Sequence, residues 1–355
     1  MILTLNSLTP LLYESIMPNT RLQQLNHWLE SLPEALKLNF SSLEPASSDA
    51  SFRRYFRILT NRDDFPSLII MDAPVDKEDV SPFINVAQLL SEAGLNVPQV
   101  IHINQKEGFL LLSDLGNTTY LSALNQSTAN HLYQEANKAL VCIQSKANAS
   151  NLALYDEALL QREMDLFPQW YLGKHLNYTL SPTESQALSK IFQQLNQNIL
   201  AQPQVFVHRD FHSRNLMVTP ENNPGILDFQ DAVKGPITYD LVSLYRDAYI
   251  AWDEEQQVDW VIRYWELARK ASLPVHADFG DFYRDFEWMG LQRHLKVLGI
   301  FARLYHRDGK DGYLKDLPLV LEYTEKVAQR YIAFKPLIRI LDASKKFVRP
   351  DGFTF

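Results

Sequence analysis

The stretch Val205-Phe-Val-His208-Arg209-Asp210-Phe-His212-Ser-Arg214-Asn215-Leu-Met-Val218, followed by Gly225-Ile-Leu-Asp228-Phe229-Gln230, decides how this chain reads. Val205–Val207, Leu216–Val218 and Gly225–Leu227 are short apolar runs with strand character. Asn215 follows Asp210 by five residues, and Asp228 follows Asn215 by 13. A short hairpin between Asn215 and Asp228 brings an amide and a carboxylate to one place. Both offer hard oxygens, the donors magnesium prefers. Asp228 stands at the end of an apolar strand, so a rigid element holds its carboxylate. Asp210 is a candidate proton acceptor. A competing reading takes His208, Asp210 and His212 as alternate residues on one strand face that bind a metal. It leaves Asn215 and Asp228 without a role.

Upstream of this stretch the chain is rich in strands. Arg21–Leu32 has helical spacing at Leu22, Leu25, Trp28 and Leu29, and Pro33 stops it. Glu44–Ser51 reads as a loop. Ser51–Leu59, Ser67–Asp72, Val100–Ile103 and Phe109–Leu112 read as strands. Ser81–Ala93 reads as a helix with Pro82 at its first position and Gly94 closing it. Ser113–Asn117 breaks the pattern. Helices are then expected over Ala129–Ser145, Tyr155–Leu172, Ser181–Asn198 and from Tyr239 onward. This places an N-terminal lobe at 17–114 and a C-terminal lobe at 115–355. Residues 1–16 read as an extension ahead of a natural helix start at Met17-Pro-Asn-Thr-Arg21.

Composition excludes several classes. The 355 residues carry 34 Lys and Arg against 42 Asp and Glu, a net charge of −8, which argues against a broad nucleic-acid footprint. At 46% hydrophobic and 21% charged the chain reads as globular. Its single cysteine, Cys142, excludes a disulfide framework and a thiolate zinc site, and fits a reducing compartment such as the cytoplasm. No run reaches the roughly 18 to 20 apolar residues of a membrane span. The first basic residue is Arg21, so the N-terminus does not read as a secretion signal.

The spacing Asp210, Asn215, Asp228 resembles the catalytic loop and metal-binding aspartate of the aminoglycoside phosphotransferase-like kinases, relatives of the protein kinases. Further segments are similar to the bacterial kinases that phosphorylate N-acetylmuramate and N-acetylglucosamine at the anomeric hydroxyl. These are Ser48-Asp-Ala-Ser-Phe-Arg-Arg-Tyr-Phe-Arg57, Gly108-Phe-Leu-Leu-Leu-Ser-Asp-Leu-Gly116, Ile226-Leu-Asp-Phe-Gln-Asp-Ala232, Gly235-Pro-Ile-Thr-Tyr-Asp-Leu-Val-Ser-Leu244 and Met289-Gly-Leu-Gln-Arg-His-Leu-Lys-Val-Leu-Gly299. The resemblance implies an α+β, two-lobed, protein-kinase-like fold with a small antiparallel N-lobe and a mainly helical C-lobe. It implies ATP and Mg2+ as cofactors and a small-molecule amino sugar as acceptor, in peptidoglycan recycling. It implies a monomer with no nucleic-acid or membrane partner.

Roles follow from the same resemblance. Asp210 orients and deprotonates the acceptor hydroxyl. Asn215 and Asp228 hold magnesium. The backbone of Ser113 and Leu115 meets adenine. His212 and Arg214 reach the γ-phosphate or the sugar, and Arg246 faces the acceptor or forms a salt bridge. Asp240 caps the helix that starts near Tyr239. The helical basic set Arg293, His294 and Lys296 attracts a carboxylate or pairs with nearby acids. One departure stands out. The third strand of this superfamily carries a phosphate-binding lysine, and here Ile69-Ile70-Met71-Asp72 has none. Arg53, Arg54 and Arg57 are the candidates to replace it, since guanidinium pairs well with phosphate oxygens. Two alternatives remain open at this point: a kinase for cationic aminoglycosides, and a pseudokinase that only binds.

Overall fold

The computed structural model of the chain describes residues 20–48 and 52–348. The expected extension at 1–16, and residues 49–51 of the loop expected over Glu44–Ser51, lie outside the described residues. Residues up to Ser81 form one compact unit with Gln99–Asp114, and Pro82–Pro98 forms a second with Leu115 onward.

The first unit is a five-stranded antiparallel sheet: β1 (Leu38–Ser48), β2 (Arg54–Thr60), β3 (Ser67–Asp72), β4 (Val100–Asn104) and β5 (Phe109–Ser113), in the order β1-β2-β3-β5-β4. Helix α1 (Thr20–Glu30) packs Leu25, Trp28 and Leu29 against Ile58, Leu68, Ile70, Phe109 and Leu111, with the Trp28 ring stacked on Phe109 at 5.5 Å. Each such fully buried side chain contributes about 1.5–3 kcal/mol. The loop expected over Glu44–Ser51 is largely strand. β1 lies at the sheet edge, where Pro45 is tolerated because one side of the strand needs no partner, and its register with β2 shifts on both sides of that region. Composition misled here because Ser and Pro read as loop.

The segment after Ser81 groups with the second unit. Helix α2 (Ser81–Glu92) sets Phe83 against Phe229 at 4.8 Å, and the Asn96 carbonyl accepts the N–H of Ile226 at 2.8 Å. The second unit is helical: α3 (Tyr120–Ala123), α4 (Ala129–Lys146), α5 (Glu157–Met164), α6 (Pro182–Ala201), α7 (Tyr239–Tyr245), α8 (Glu254–Lys270), α9 (Phe279–Asp308), α10 (Leu317–Arg330) and α11 (Lys335–Val348). The helix expected over Tyr155–Leu172 is broken. It continues as a π-helical turn over Phe167–His175, where Leu176 N–H reaches back five residues to Tyr171. Pro168 has no N–H to give to the ordinary ladder, so the pattern shifts.

Two short ladders frame the decisive stretch. β6 (Gln204–Val207) pairs antiparallel with β9 (Val233–Pro236), and β7 (Leu216–Met217) pairs with β8 (Gly225–Ile226). β9 is not visible in the sequence because Val-Lys-Gly-Pro reads as a turn. Its effect is to tie together the two ends of residues 208–232, while β7 and β8 close the hairpin inside. Helix α9 approaches α5 closely: a Cβ at Gly299 would lie 2.5 Å from the backbone carbon of Leu166. Glycine is required there by space.

Candidate active site

Asp210 is held mainly through its main chain. Its N–H donates to His208 Nδ1 at 3.2 Å, and its carbonyl accepts the His212 N–H at 3.0 Å and the Asn215 Nδ2 at 3.0 Å. The acceptor role makes His208 Nδ1 unprotonated, and burial pushes this imidazole down to about 4, so it is neutral. The two preceding amides are clamped from α7: His208 N–H and Arg209 N–H donate to the Asp240 carboxylate at 2.6 and 2.9 Å. Asp240 therefore braces the catalytic stretch and does not cap its helix. The N-cap is Thr238, which makes no side-chain cap bond. Burial raises the Asp240 carboxyl to about 7, against the pull of the two amides.

Arg209 adopts a left-handed backbone, φ 78°, which disfavours any residue with a Cβ. It is gripped on every side. Its guanidinium pairs with Glu163 of α5 at 2.7 Å, and its carbonyl accepts Arg293 Nη1 of α9 at 3.1 Å. Arg293 also donates to the Tyr239 hydroxyl at 2.9 Å; Lys296 reaches the same hydroxyl at 2.9 Å and Glu163 at 2.9 Å. Tyr155 adds a hydrogen bond to Glu163. Burial raises the Asp210 carboxyl, but Arg293 first, then His212 and Lys296, outweigh it, and the net shift is downward. Asp210 is thus ionised at neutral pH, as a proton acceptor must be.

Asn215 and Asp228 meet. Asn215 Nδ2 donates to Asp228 Oδ2 at 3.2 Å as well as to the Asp210 carbonyl. Asp228 also takes a left-handed backbone, φ 60°, and Gln230 Nε2 donates to its Oδ1 at 2.8 Å. With Nδ2 fixed by two acceptors, the Asn215 amide oxygen is turned away from both and accepts no hydrogen bond among the described residues. An amide and a carboxylate on adjoining side chains are donor types that suit a small hard cation, which fills its remaining positions with water and phosphate. Among the described residues no cluster of three or more His, Cys, Asp or Glu side chains could hold a metal by itself.

The remaining candidates are placed as follows. Ser213 is anchored by its N–H to Asp247 at 3.0 Å and by its hydroxyl to the same oxygen. His212 meets the Tyr249 ring edge-on at 5.4 Å, and the Arg214 guanidinium lies over that ring at 3.5 Å. Arg246 is drawn to Glu287 at 3.1 Å and to the Tyr283 hydroxyl, in a recess it shares with Glu254, Gln257, Tyr323, Lys326 and Arg330. On the sheet unit, Arg53 pairs with Glu78 at 3.0 Å, Arg54 with Asp72 and Arg57 with Asp114 at 2.6 Å. Asp72, standing at the end of β3, is also held by Arg21 Nε at 2.8 Å. The Ser113 N–H donates to the Gln99 carbonyl at 2.9 Å and its hydroxyl accepts the Gln99 N–H. Leu115 opens the second unit, its side chain against Gly225.

Glu163, Tyr155, Tyr239 and Asp247 were not singled out by the sequence. Asp247 lies just past the end of α7, where no helical spacing marks it. Glu163 lies 46 residues before Arg209 and carries no local mark.

Residues 42–279 match the phosphotransferase enzyme family. The chain belongs to this family. This phosphotransferase is 48% identical over 324 residues to an N-acetylmuramate/N-acetylglucosamine kinase of Neisseria meningitidis, covering 90% of the chain and 94% of that relative. An enzyme of the same name from Pseudomonas aeruginosa is 47% identical, with 88% and 93% covered. Among solved structures, an ADP-bound aminoglycoside phosphotransferase superposes with TM-score 0.57 at 15% identity, covering 88% of this chain and 99% of the other. A choline kinase from Streptococcus pneumoniae gives TM-score 0.60 at 11% identity, with 86% and 99% covered. At such identities the structures establish the fold alone, and it is the expected α+β kinase-like one. No described helix is long and apolar enough to cross a membrane.

Proposed function

We propose that this phosphotransferase transfers the γ-phosphoryl group of ATP to the anomeric hydroxyl of N-acetylmuramate and of N-acetylglucosamine, in the cytoplasm, as a monomer, on a route that recovers cell-wall sugars. The observation that supports this most is Asn215 bridging the Asp210 carbonyl and the Asp228 carboxylate through one amide nitrogen. That contact ties the Asp210 main chain, Asn215 and Asp228 into one arrangement, and the 48% identical relative is named an N-acetylmuramate/N-acetylglucosamine kinase.

In this reading Asp210 takes the proton of the acceptor hydroxyl and aligns its oxygen. An anomeric hydroxyl is more acidic than an ordinary alcohol, so a carboxylate held ionised by Arg293, His212 and Lys296 suffices. Asn215 and Asp228 hold magnesium. Magnesium held by these two side chains would supply charge compensation to the phosphate oxygens. His212 is proposed to reach the γ-phosphate or the sugar. Arg53, Arg54 and Arg57 are the proposed phosphate contacts of the sheet unit, with main-chain groups of Ser113 and Leu115 for adenine. Arg246 is proposed as a structural ion-pair residue.

A polycationic acceptor is disfavoured by the cations that act on Asp210. A binding-only role has no use for Asp210, Asn215 and Asp228 together. The deciding experiment offers ATP with a panel of amino sugars and aminoglycosides and locates the phosphate by phosphorus–proton NMR. Phosphate on the C1 oxygen of both N-acetyl sugars is expected. Transfer to another hydroxyl, or to aminoglycosides alone, overturns the proposal.

A further inference from the structure

The cations around the catalytic stretch are matched, with one exception. Arg209 and Lys296 share Glu163, Arg293 donates to Tyr239 and to the Arg209 carbonyl, and Arg246 pairs with Glu287. Arg214 makes no hydrogen bond and no ion pair among the described residues. Its guanidinium carbon lies 3.5 Å from the centroid of the Tyr249 ring. At that distance the flat cation presents its face to the ring and keeps its N–H edge for an oxygen pair.

The platform beneath it is fixed. Tyr249 donates its N–H to Asp247 Oδ1 at 3.1 Å, meets His212 edge-on and lies against Phe301 at 6.3 Å. Asp247 in turn holds Ser213, the residue before Arg214. Burial raises the Asp316 carboxyl, and Arg214 acts on it through space in the opposite sense without a bond. Arg214 is thus an ordered, half-buried guanidinium one residue before Asn215 and four after Asp210.

The two sugars of the proposed reaction differ in one group. N-acetylmuramate carries a lactyl ether that ends in a carboxylate, and N-acetylglucosamine carries a hydroxyl there. An enzyme that takes both needs an anion-binding group that engages one substrate and tolerates an empty position with the other. A half-buried, stacked guanidinium meets both requirements. It offers a bidentate match to a carboxylate, and water can reach its edge when no carboxylate is present. Resting on the functional reading above, we propose that Arg214 binds the lactyl carboxylate and sets the preference between the two sugars.

The test compares wild type with Arg214→Gln in kcat/KM for each sugar. The ratio for N-acetylmuramate over N-acetylglucosamine is expected to fall about 10- to 100-fold, the worth of hydrogen bonds to a charged group. Arg214→Lys recovers part of it. The substrate-side counterpart uses wild type with the methyl ester of N-acetylmuramate, which should lose a similar factor and keeps the question answerable if the variant folds poorly. An unchanged ratio, with both sugars falling alike or neither falling, overturns the assignment while the function stands. A wild type inactive on both sugars overturns the functional reading and this assignment with it.

Discussion

β2 and β3 are registered along their length, from Arg54 opposite Asp72 to Leu59 opposite Ser67, and β3 is paired again on its other side by β5. Residues 208–232 have no such redundancy. Their internal ladder is two residues long, and they hold left-handed backbone at Arg209 and Asp228. Polar side chains from elsewhere do the holding, Asp240, Asp247, Arg293 and Glu163, joined by Asn215 from within. In the sheet many main-chain bonds share the load, so losing one side chain leaves the backbone where it was. In residues 208–232 single side chains carry more of it: Asp240 alone accepts both the His208 and the Arg209 amide.

The comparison can be broken most directly at Asp210. Asp210→Asn leaves every clamp in place and removes only the proton acceptor. Turnover should fall about 10³-fold, within the usual range for a general base, with ATP binding and thermal midpoint retained. Full turnover would separate Asp210 from the chemistry. Asp240→Ala inverts this outcome. It leaves the His208 and Arg209 amides buried without an acceptor and should cost about 2–5 kcal/mol in denaturant unfolding. Asp240→Asn should restore part of that, because an amide oxygen can still accept.

A third measurement concerns protons. His294 is buried on α9, stacked on Tyr323 at 5.1 Å, and burial takes it from 6.5 down to about 3. The unfolded chain binds a proton below about pH 6.5 that the fold refuses. Its contribution to stability is therefore complete above that pH and is lost as pH falls toward 3. The stability difference between wild type and His294→Gln should change by about 1.4 kcal/mol per pH unit between pH 6 and 4. Parallel curves would contradict this. The smallest effect belongs to the sheet. Arg54 is half exposed and Asp72 keeps Arg21, so Arg54→Ala should cost under about 1 kcal/mol. A loss as large as that at Asp240 would erase the contrast between the two regions.

What the sequence disclosed follows from this difference. Asp210, Asn215 and Asp228 were legible because they lie within 19 residues and short apolar runs fix their spacing. The strands of the sheet were legible from apolar runs, apart from the edge strand β1, in whose second half Pro45 and serines imitate a loop. The clamps were not legible, because Glu163 and Arg293 reach Arg209 across 46 and 84 residues and only packing brings them there. Asp240 was visible as an acid at a helix start, and that local reading pointed to a cap. Its true partners are the two amides just past the end of β6, those of His208 and Arg209.

Gly299 carries the last consequence. It lies on the same helix as Arg293 and Lys296, pressed against Leu166 just past the helix that carries Glu163. A single methyl group at that spot would act as a shim, prying apart two rods whose charged faces grip the loop between them. The clasp around Arg209 therefore depends on a residue whose side chain is a single hydrogen atom.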